Sequence, residues 1–428
     1  MPDAAMPLPP VAPTVPASRR FARLLLGFAL YGLAVAALAD PRTRFDLDYR
    51  VAFLPEAGVA DLALRHTPGD GRVLSLALRF DPARYSQVRA EGGQLSRDGD
   101  RWTWTPDPRR ASTLRWRYRI DQQRRGGGYD ARITRDWVIV RGDDLFPPAT
   151  ARTTRGADSR ARLHFDLPPG WTNVDTPFLR SRDGGSFVVV NPERRFDRPV
   201  GWMIAGRVGT RREQIEGMEV SVAGPKDDAV RRNDKLAFIN LVAPEMARAF
   251  GGLPSKLLIV SADDPMWRGG LSGPRSLFIH ADRPLISENG SSTLVHELVH
   301  MVTRVRGAEG DDWIAEGTAE FYSITLLNRA GLLSDARRDR AFEWMANHGR
   351  GVRTLIGARS WGPQTARAVV LFRELDREIR QRTDGQRSLD DVMRRLIEIR
   401  VVSREDLEAV VEELTGRPSA VLQSPLIR

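Results

Sequence analysis

His296-Glu297-Leu298-Val299-His300, then after a short link Trp313-Ile314-Ala315-Glu316-Gly317-Thr318-Ala319-Glu320-Phe321-Tyr322, decides the reading of this 428-residue chain. Both runs carry apolar residues at helical spacing. Residues four apart on a helix lie about 40° apart around the axis and roughly 6 Å apart at Cβ, so His296 and His300 point at one place without any change of backbone. Imidazole nitrogens so placed suit zinc, which in a catalytic site takes three protein ligands and a water. Glu297, beside the first histidine, can reach that water and take its proton. Gly307 and Gly310 can turn the chain, so the second helix returns antiparallel and brings Glu316 to the same point. One zinc ion per chain, held by His296, His300 and Glu316, is the expected cofactor. Glu320, one turn further along the same face, is expected to accept the second N–H of a ligand imidazole, and Asp311 is a further candidate for such bracing.

Composition narrows the alternatives around this pair of helices. Cysteine is absent, which excludes disulfides, thiolate metal sites and cysteine nucleophiles. The chain has six histidines, so a pair at ligand spacing carries weight; His66, His164 and His280 stand alone and read as strand residues. The net charge is +10, yet Lys226, Lys235 and Lys256 are the lysines among 65 basic residues, and the arginines are scattered among 55 acids. The longest purely basic runs are pairs such as Arg109-Arg110. A solvated, arginine-biased surface fits this pattern, and no nucleic-acid partner is expected.

Upstream the chain divides into three parts. Residues 1–39 hold a Pro/Ala-rich leader, then Arg19, Arg20 and Arg23, then an apolar run over residues 24–39 that closes on Ala37-Leu38-Ala39. Sixteen residues of helix span roughly 24 Å, short of the ~30 Å of a hydrocarbon core. An export signal with a small-x-small cleavage site is therefore expected, and the protein is placed outside the cytoplasm, periplasmic or secreted. An uncleaved segment would anchor it in the inner membrane, its one route to membrane contact. Residues 40–225 alternate as strands, for example Arg44-Phe45-Asp46-Leu47-Asp48-Tyr49-Arg50-Val51, with Gly/Asp/Pro clusters between them. From about Arg231 the period becomes helical, and residues 226–428 read as the domain that carries the site. Gly269-Gly270-Leu271-Ser272-Gly273 reads there as a flexible loop between two short apolar strands. Ser388 and Ser403 read as helix N-caps. The fold class is α+β: a sandwich-like β domain followed by a mainly helical one.

The HELVH helix followed by Trp-x-x-Glu-Gly-x-Ala-Glu-Phe-Tyr resembles the gluzincin metallopeptidases, the clan of thermolysin and aminopeptidase N. The later runs Glu374-Leu375-Asp376-Arg377-Glu378-Ile379-Arg380 and Ser388-Leu389-Asp390-Asp391-Val392-Met393-Arg394 are similar to the glycyl aminopeptidase family within it. The resemblance is specific over residues 290–400 and architectural before that. It implies a thermolysin-like catalytic domain, zinc on His296, His300 and Glu316, and Glu297 as general base. Three features of the resembled families are missing. The link from His300 to Glu316 is short, no acid stands near residues 269–273 to hold a substrate amine, and the tyrosine expected shortly before the Glu374 helix is absent, Trp361 and Gln364 occupying that region. Tyr322 lies on the wrong side of its helix and reads as core.

The sequence therefore points to an exported zinc metallopeptidase acting on a peptide or protein substrate. A zinc-retaining, non-catalytic peptide-binding relative is the competing class; the missing tyrosine supports it and the intact Glu297 opposes it. With no tyrosine, His348 is the candidate to stabilise the oxyanion, against a plain role as a helix C-terminal cap. Burying a substrate ammonium needs a nearby carboxylate. Glu288 is the nearest upstream acid and sits in a turn-like run, so cleavage within chains or of blocked peptides is favoured over the aminopeptidase habit.

Overall fold

Alternation of apolar and polar residues builds the first half of the chain. In the strand Arg44–Leu54 the side chains of Phe45, Leu47, Tyr49, Val51 and Phe53 all face inward, while their neighbours face water. This strand pairs in parallel with Asp158–Asp166 and antiparallel with Val59–Thr67, at the centre of a seven-stranded sheet. A four-stranded sheet that includes Val73–Arg79 and a five-stranded sheet that includes Trp137–Arg141 and Trp202–Gly206 complete the module. The aromatic-rich core between them contains Trp104, Trp116, Tyr118 and Phe146. The computed structural model describes residues 43–191 and 196–427. The apolar run at residues 24–39, with its cleavage site, lies outside the described residues. Among the described residues no helix is long and apolar enough to cross a membrane.

The second half is organised on a five-stranded sheet. Its strands are β1 (Val208–Ile215), β2 (Met218–Pro225), β3 (Lys256–Ala262), β4 (Gly270–Gly273) and β5 (Ser276–His280), in the order β1-β2-β3-β5-β4. The β2–β3 and β3–β5 pairs are parallel. The hairpin β1–β2 lies before residue 225, yet its hydrogen bonds to β3 put it in this sheet. A strand period cannot show which sheet a hairpin joins. One face of the sheet packs on the N-terminal module through Ile139, Trp202, Ile204, Leu258, Val260 and Phe278. The other face, with Val220, Val222, Ile259, Leu277 and Ile279, packs on helices. The chain from Arg44 onward accordingly forms one unit.

Seven helices follow or interrupt the sheet: α1 (Arg232–Phe250), α2 (Thr293–Thr303), α3 (Asp312–Arg329), α4 (Asp335–His348), α5 (Pro363–Arg382), α6 (Leu389–Ile399) and α7 (Arg404–Thr415). Ser388 and Ser403 cap α6 and α7 in full capping boxes closed by Asp391 and Asp406, as their spacing predicts. The glycine-rich run expected as a loop is instead strand β4 at the open edge of the sheet. It forms an antiparallel hairpin with β5 in which Gly270 faces Ile279 and Gly273 faces Ser276. Backbone pairing holds it there against a weak local strand preference.

Candidate metal centre

Helix α2 is positioned by its apolar face. Ser292 caps its start by accepting a hydrogen bond from Val295 N at 3.2 Å. Leu294, Val295, Leu298 and Val299 are buried in the core beneath the sheet. Each such side chain contributes about 1.5–3 kcal/mol by leaving water. With that stripe fixed, His296, Glu297 and His300 are turned toward a cleft. The chain then reverses through Gly310, whose φ of 88° lies in the left-handed region that favours glycine. Helix α3 returns with Trp313, Ile314 and Ala319 buried and Glu316 and Glu320 facing α2.

Four side chains converge there. His296 Nε2 and His300 Nε2 are 3.1 Å apart, and each lies 3.4 Å from a carboxylate oxygen of Glu316. Zinc binds such donors at about 2.0–2.1 Å, so two corners of its tetrahedron are about 3.3–3.4 Å apart. The observed separations fit that edge. Glu320 Oε2 accepts from His296 Nδ1 at 2.9 Å, and Ser323 Oγ donates to the same oxygen at 3.4 Å. A proton held on Nδ1 leaves the Nε2 lone pair directed at the shared point. The side chains of His296 and His300 are 15% and 16% exposed, so a cation placed between them would be largely shielded.

The electrostatics agree with a cation site. Burial opposes charge on His296, but the hydrogen bonds it donates to Glu316 and Glu320 outweigh that and raise its pKa well above the ordinary histidine range. Burial likewise works against ionised Glu316 and Glu320, yet their histidine partners keep both carboxyls below the usual range. Two ionised carboxylates around two imidazoles are a donor set that suits a divalent metal, and His296, His300 and Glu316 are the residues that could hold one.

The point where these donors converge stands between two compartments. Trp267, Gly270, Trp344, His348 and Trp361 help to line one; Ser272, Gly273 and four arginines help to line the other; His296, Glu297 and Glu316 border both. Glu297 lies directly against β4, since a Cβ on Gly270 would sit 2.9 Å from its Cγ and 3.3 Å from its Oε1. His348 ends α4 and reaches the first compartment, its ring stacked on Trp344 at 4.6 Å.

Of the residues singled out in the sequence, the structure gathers His296, Glu297, His300, Glu316 and Glu320. It does not bring Asp311 to them: Asp311 accepts from Trp313 Nε1 at 3.2 Å and from Arg404 N at 2.8 Å, tying α3 to the start of α7. Tyr322 is buried and donates to Asp390 Oδ1 at 2.9 Å. Glu288 is exposed and borders neither compartment. Sequence reasoning missed Gly270, Ser323 and the tryptophans of the cleft. The Gly269-Gly270 pair was the one local signal, a place where backbone can approach another group closely.

No protein-family model matches the sequence, and no curated protein matches it. Solved structures do match. An aminopeptidase N family protein from Idiomarina loihiensis has a TM-score of 0.62 at 13% identity, over 89% of this chain and 78% of that one. An M1 zinc metallopeptidase from Deinococcus radiodurans gives 0.55 at 16% identity, over 90% and 94% of the two chains. A mutant of the same enzyme gives 0.55 at 15% identity, over 90% and 92%. What the chain shares with these proteins at such identities is the fold, from the β module through the helices.

Proposed function

We propose that this protein is a zinc-dependent metallopeptidase of the gluzincin clan, with His296, His300 and Glu316 as ligands and Glu297 as general base. The observation that carries the reading is the convergence of donors on two antiparallel helices: His296 Nε2 and His300 Nε2 are 3.1 Å apart, Glu316 Oε2 lies 3.4 Å from the first and Glu316 Oε1 lies 3.4 Å from the second. Zinc, when bound, supplies a Lewis acid that polarises a carbonyl and makes a water acidic near neutral pH. The chain's own residues do the rest. Glu297, bordering both compartments, takes the proton of the attacking water and returns it to the leaving amine. Glu320 fixes the tautomer and orientation of His296. Strand β4, at the sheet edge, offers its backbone to an extended peptide as an added strand. His348, exposed on the cleft wall, can donate a ring N–H to the oxyanion. The runs 374–380 and 388–394 support a place near the glycyl aminopeptidases within the clan.

The cleft also supports one side of the choice of bond. Its acids are Glu297 and Glu316, with Glu320 on one side, and all three are engaged at the centre. A substrate ammonium would find no free carboxylate among the described lining residues, so cleavage within chains or of blocked peptides is the preferred mode. The absence of a tyrosine from the same lining keeps a second reading open, a zinc-retaining peptide binder without turnover. The deciding experiment is a digest of an acetylated peptide library by wild type and Glu297→Gln, with zinc measured in both. Loss of turnover by about 10²–10⁴-fold with zinc retained is the expected result; equal turnover would remove Glu297 as base, and no cleavage by wild type would favour the binder. We place the protein outside the cytoplasm, with a processed N-terminus near Asp40; N-terminal sequencing that finds residues 1–39 intact would contradict this.

A further inference from the structure

The compartment on the Gly270 side of the centre is walled by tryptophan. Trp267, Trp344 and Trp361 line it, and they come from separate elements. Trp267 lies in the link between β3 and β4, Trp344 on α4 and Trp361 in the link from α4 to α5. Of the chain's ten tryptophans, Trp344 and Trp361 are the exposed ones, at 42% and 73%, and both stand here. An indole left in water forgoes the burial of one of the largest apolar side chains, and exposed apolar surface gathered at one cleft marks a place of binding. The compartment has a volume of about 480 Å³, within the range of sites that take small molecules and side chains.

The three indoles are held in place although two of them are open to water. Ser360 N donates to Asp312 Oδ2 at 2.8 Å, at the start of the helix that carries Glu316, and Gln364 N donates to Trp361 O at 3.2 Å. The turn that bears Trp361 is thus tied on both sides. Trp344 is stacked on His348, with ring centres 4.6 Å apart and planes 18° from parallel. Trp267 carries the Arg124 guanidinium 3.8 Å from its ring centre and packs so closely on Gly269 that a Cβ there would find no room. Walls ordered in advance lose little freedom when a ligand docks.

The occupant these walls fit is a side chain of an extended peptide. Strand β4 is the edge of its sheet and is shared between the compartments: Gly270 borders the tryptophans, while Ser272 and Gly273 border the other side. A peptide strand paired along β4 therefore crosses the centre and sets a side chain among the tryptophans. Beyond the centre, the ionisable residues of this lining are Arg283 and His348, and Arg283 Nε already donates to Arg268 O at 2.9 Å. The walls offer a flat ring more than they offer a charge. Aromatic rings pair with indoles in offset or edge-on arrangements, centres about 4.5–7 Å apart.

We propose that this compartment is a subsite for an aromatic side chain of the substrate, so that peptides with Phe, Tyr or Trp beside the cleaved bond are the preferred class. The proposal rests on the peptidase reading for its role in cleavage, but binding can be measured without turnover.

The test uses zinc-loaded, full-length Glu297→Gln protein titrated with four acetylated, amidated peptides of small residues. They differ at one central position, which is Phe, Leu, Lys or Ala. The Phe peptide should bind about tenfold or more tightly than the Ala peptide, as burial of a whole aromatic side chain implies. Ring pairing should place it about threefold above the Leu peptide, and the Lys peptide should bind more weakly than Phe. Trp361→Ala and Trp344→Ala should each remove most of the Phe advantage, with melting temperatures near wild type because both side chains stand at the surface. Trp361→Phe should keep most of it. In wild type, the cut should fall on one fixed side of the Phe, since the compartment lies on one side of the centre. A Phe peptide bound no more tightly than the Ala or Lys peptide, or a Phe advantage unchanged in both alanine variants, would overturn the subsite. Cuts placed without regard to the Phe would overturn it as well. Failure of wild type to cut any peptide would overturn the peptidase reading instead, and the affinity ratios would still decide the subsite on their own.

Discussion

Replacing Gly270 with alanine puts one methyl group between strand β4 and Glu297, the proposed general base. The new Cβ would lie 2.9 Å from Glu297 Cγ and 2.9 Å from Thr293 Cγ2, against an ordinary contact of 3.4–4 Å. Relief therefore requires a shift of at least about 0.5 Å at Cγ, and the carboxylate further out moves more. Displacement of a catalytic group on the order of 1 Å costs about 10²-fold in rate. The atoms in the way belong to side chains at the cleft, so the fold and the ligands are expected to persist. Gly270→Ala should thus lower turnover of an acetylated fluorogenic peptide about 100-fold, while zinc content and melting temperature stay near wild type. Wild-type turnover in that variant would refute the placement of Glu297 against β4 as a functional contact.

Two further outcomes follow from the same geometry and from the β module. Glu320→Ala removes the acceptor of His296 Nδ1, and zinc affinity, measured by competition with a chelator, should fall about 10–100-fold. His66 is buried and its Nε2 accepts from Val73 N at 3.1 Å; burial, helped by Arg72, pushes its pKa down to about 4 from 6.5. A folded-state pKa below the unfolded value means that stability is fully present above pH 6.5, declines as the pH falls toward 4, and is level below that. The decline can reach about 3 kcal/mol. Denaturant midpoints across that range should show it, and a flat profile would contradict the burial of a neutral His66.

The gathering of the two histidines and two carboxylates was legible because its geometry is local. His296 and His300 are four apart on one helix, and a link short enough to force a return put Glu316 and Glu320 opposite them. The caps at Ser388 and Ser403 were legible for the same reason. What escaped is long-range. Strand β4 looked like a loop because two of its four residues, Gly270 and Gly273, are glycines and Gly269 precedes it, and only pairing with β5 makes it an edge. The hairpin β1–β2 has the same alternation as the strands before it, and only its hydrogen bonds to β3 place it with the helices. Asp311 has the spacing of a bracing carboxylate, but the start of α7, over ninety residues later, claims its oxygen. The arginines of the second compartment vanished into an evenly basic composition, since nothing local joins Arg141 to Arg304, Arg306 and Arg400.

The central claim is that two imidazoles and one carboxylate of this chain hold a metal. Zinc-edge X-ray absorption on the purified protein, with stoichiometry taken on the same sample, tests it most directly. The account predicts one zinc per chain, coordinated by two histidine nitrogens at about 2.0–2.1 Å and by oxygen, and most of that zinc lost in His300→Ala. One-to-one zinc persisting in His300→Ala, or a wild-type protein that takes up no zinc, would contradict it.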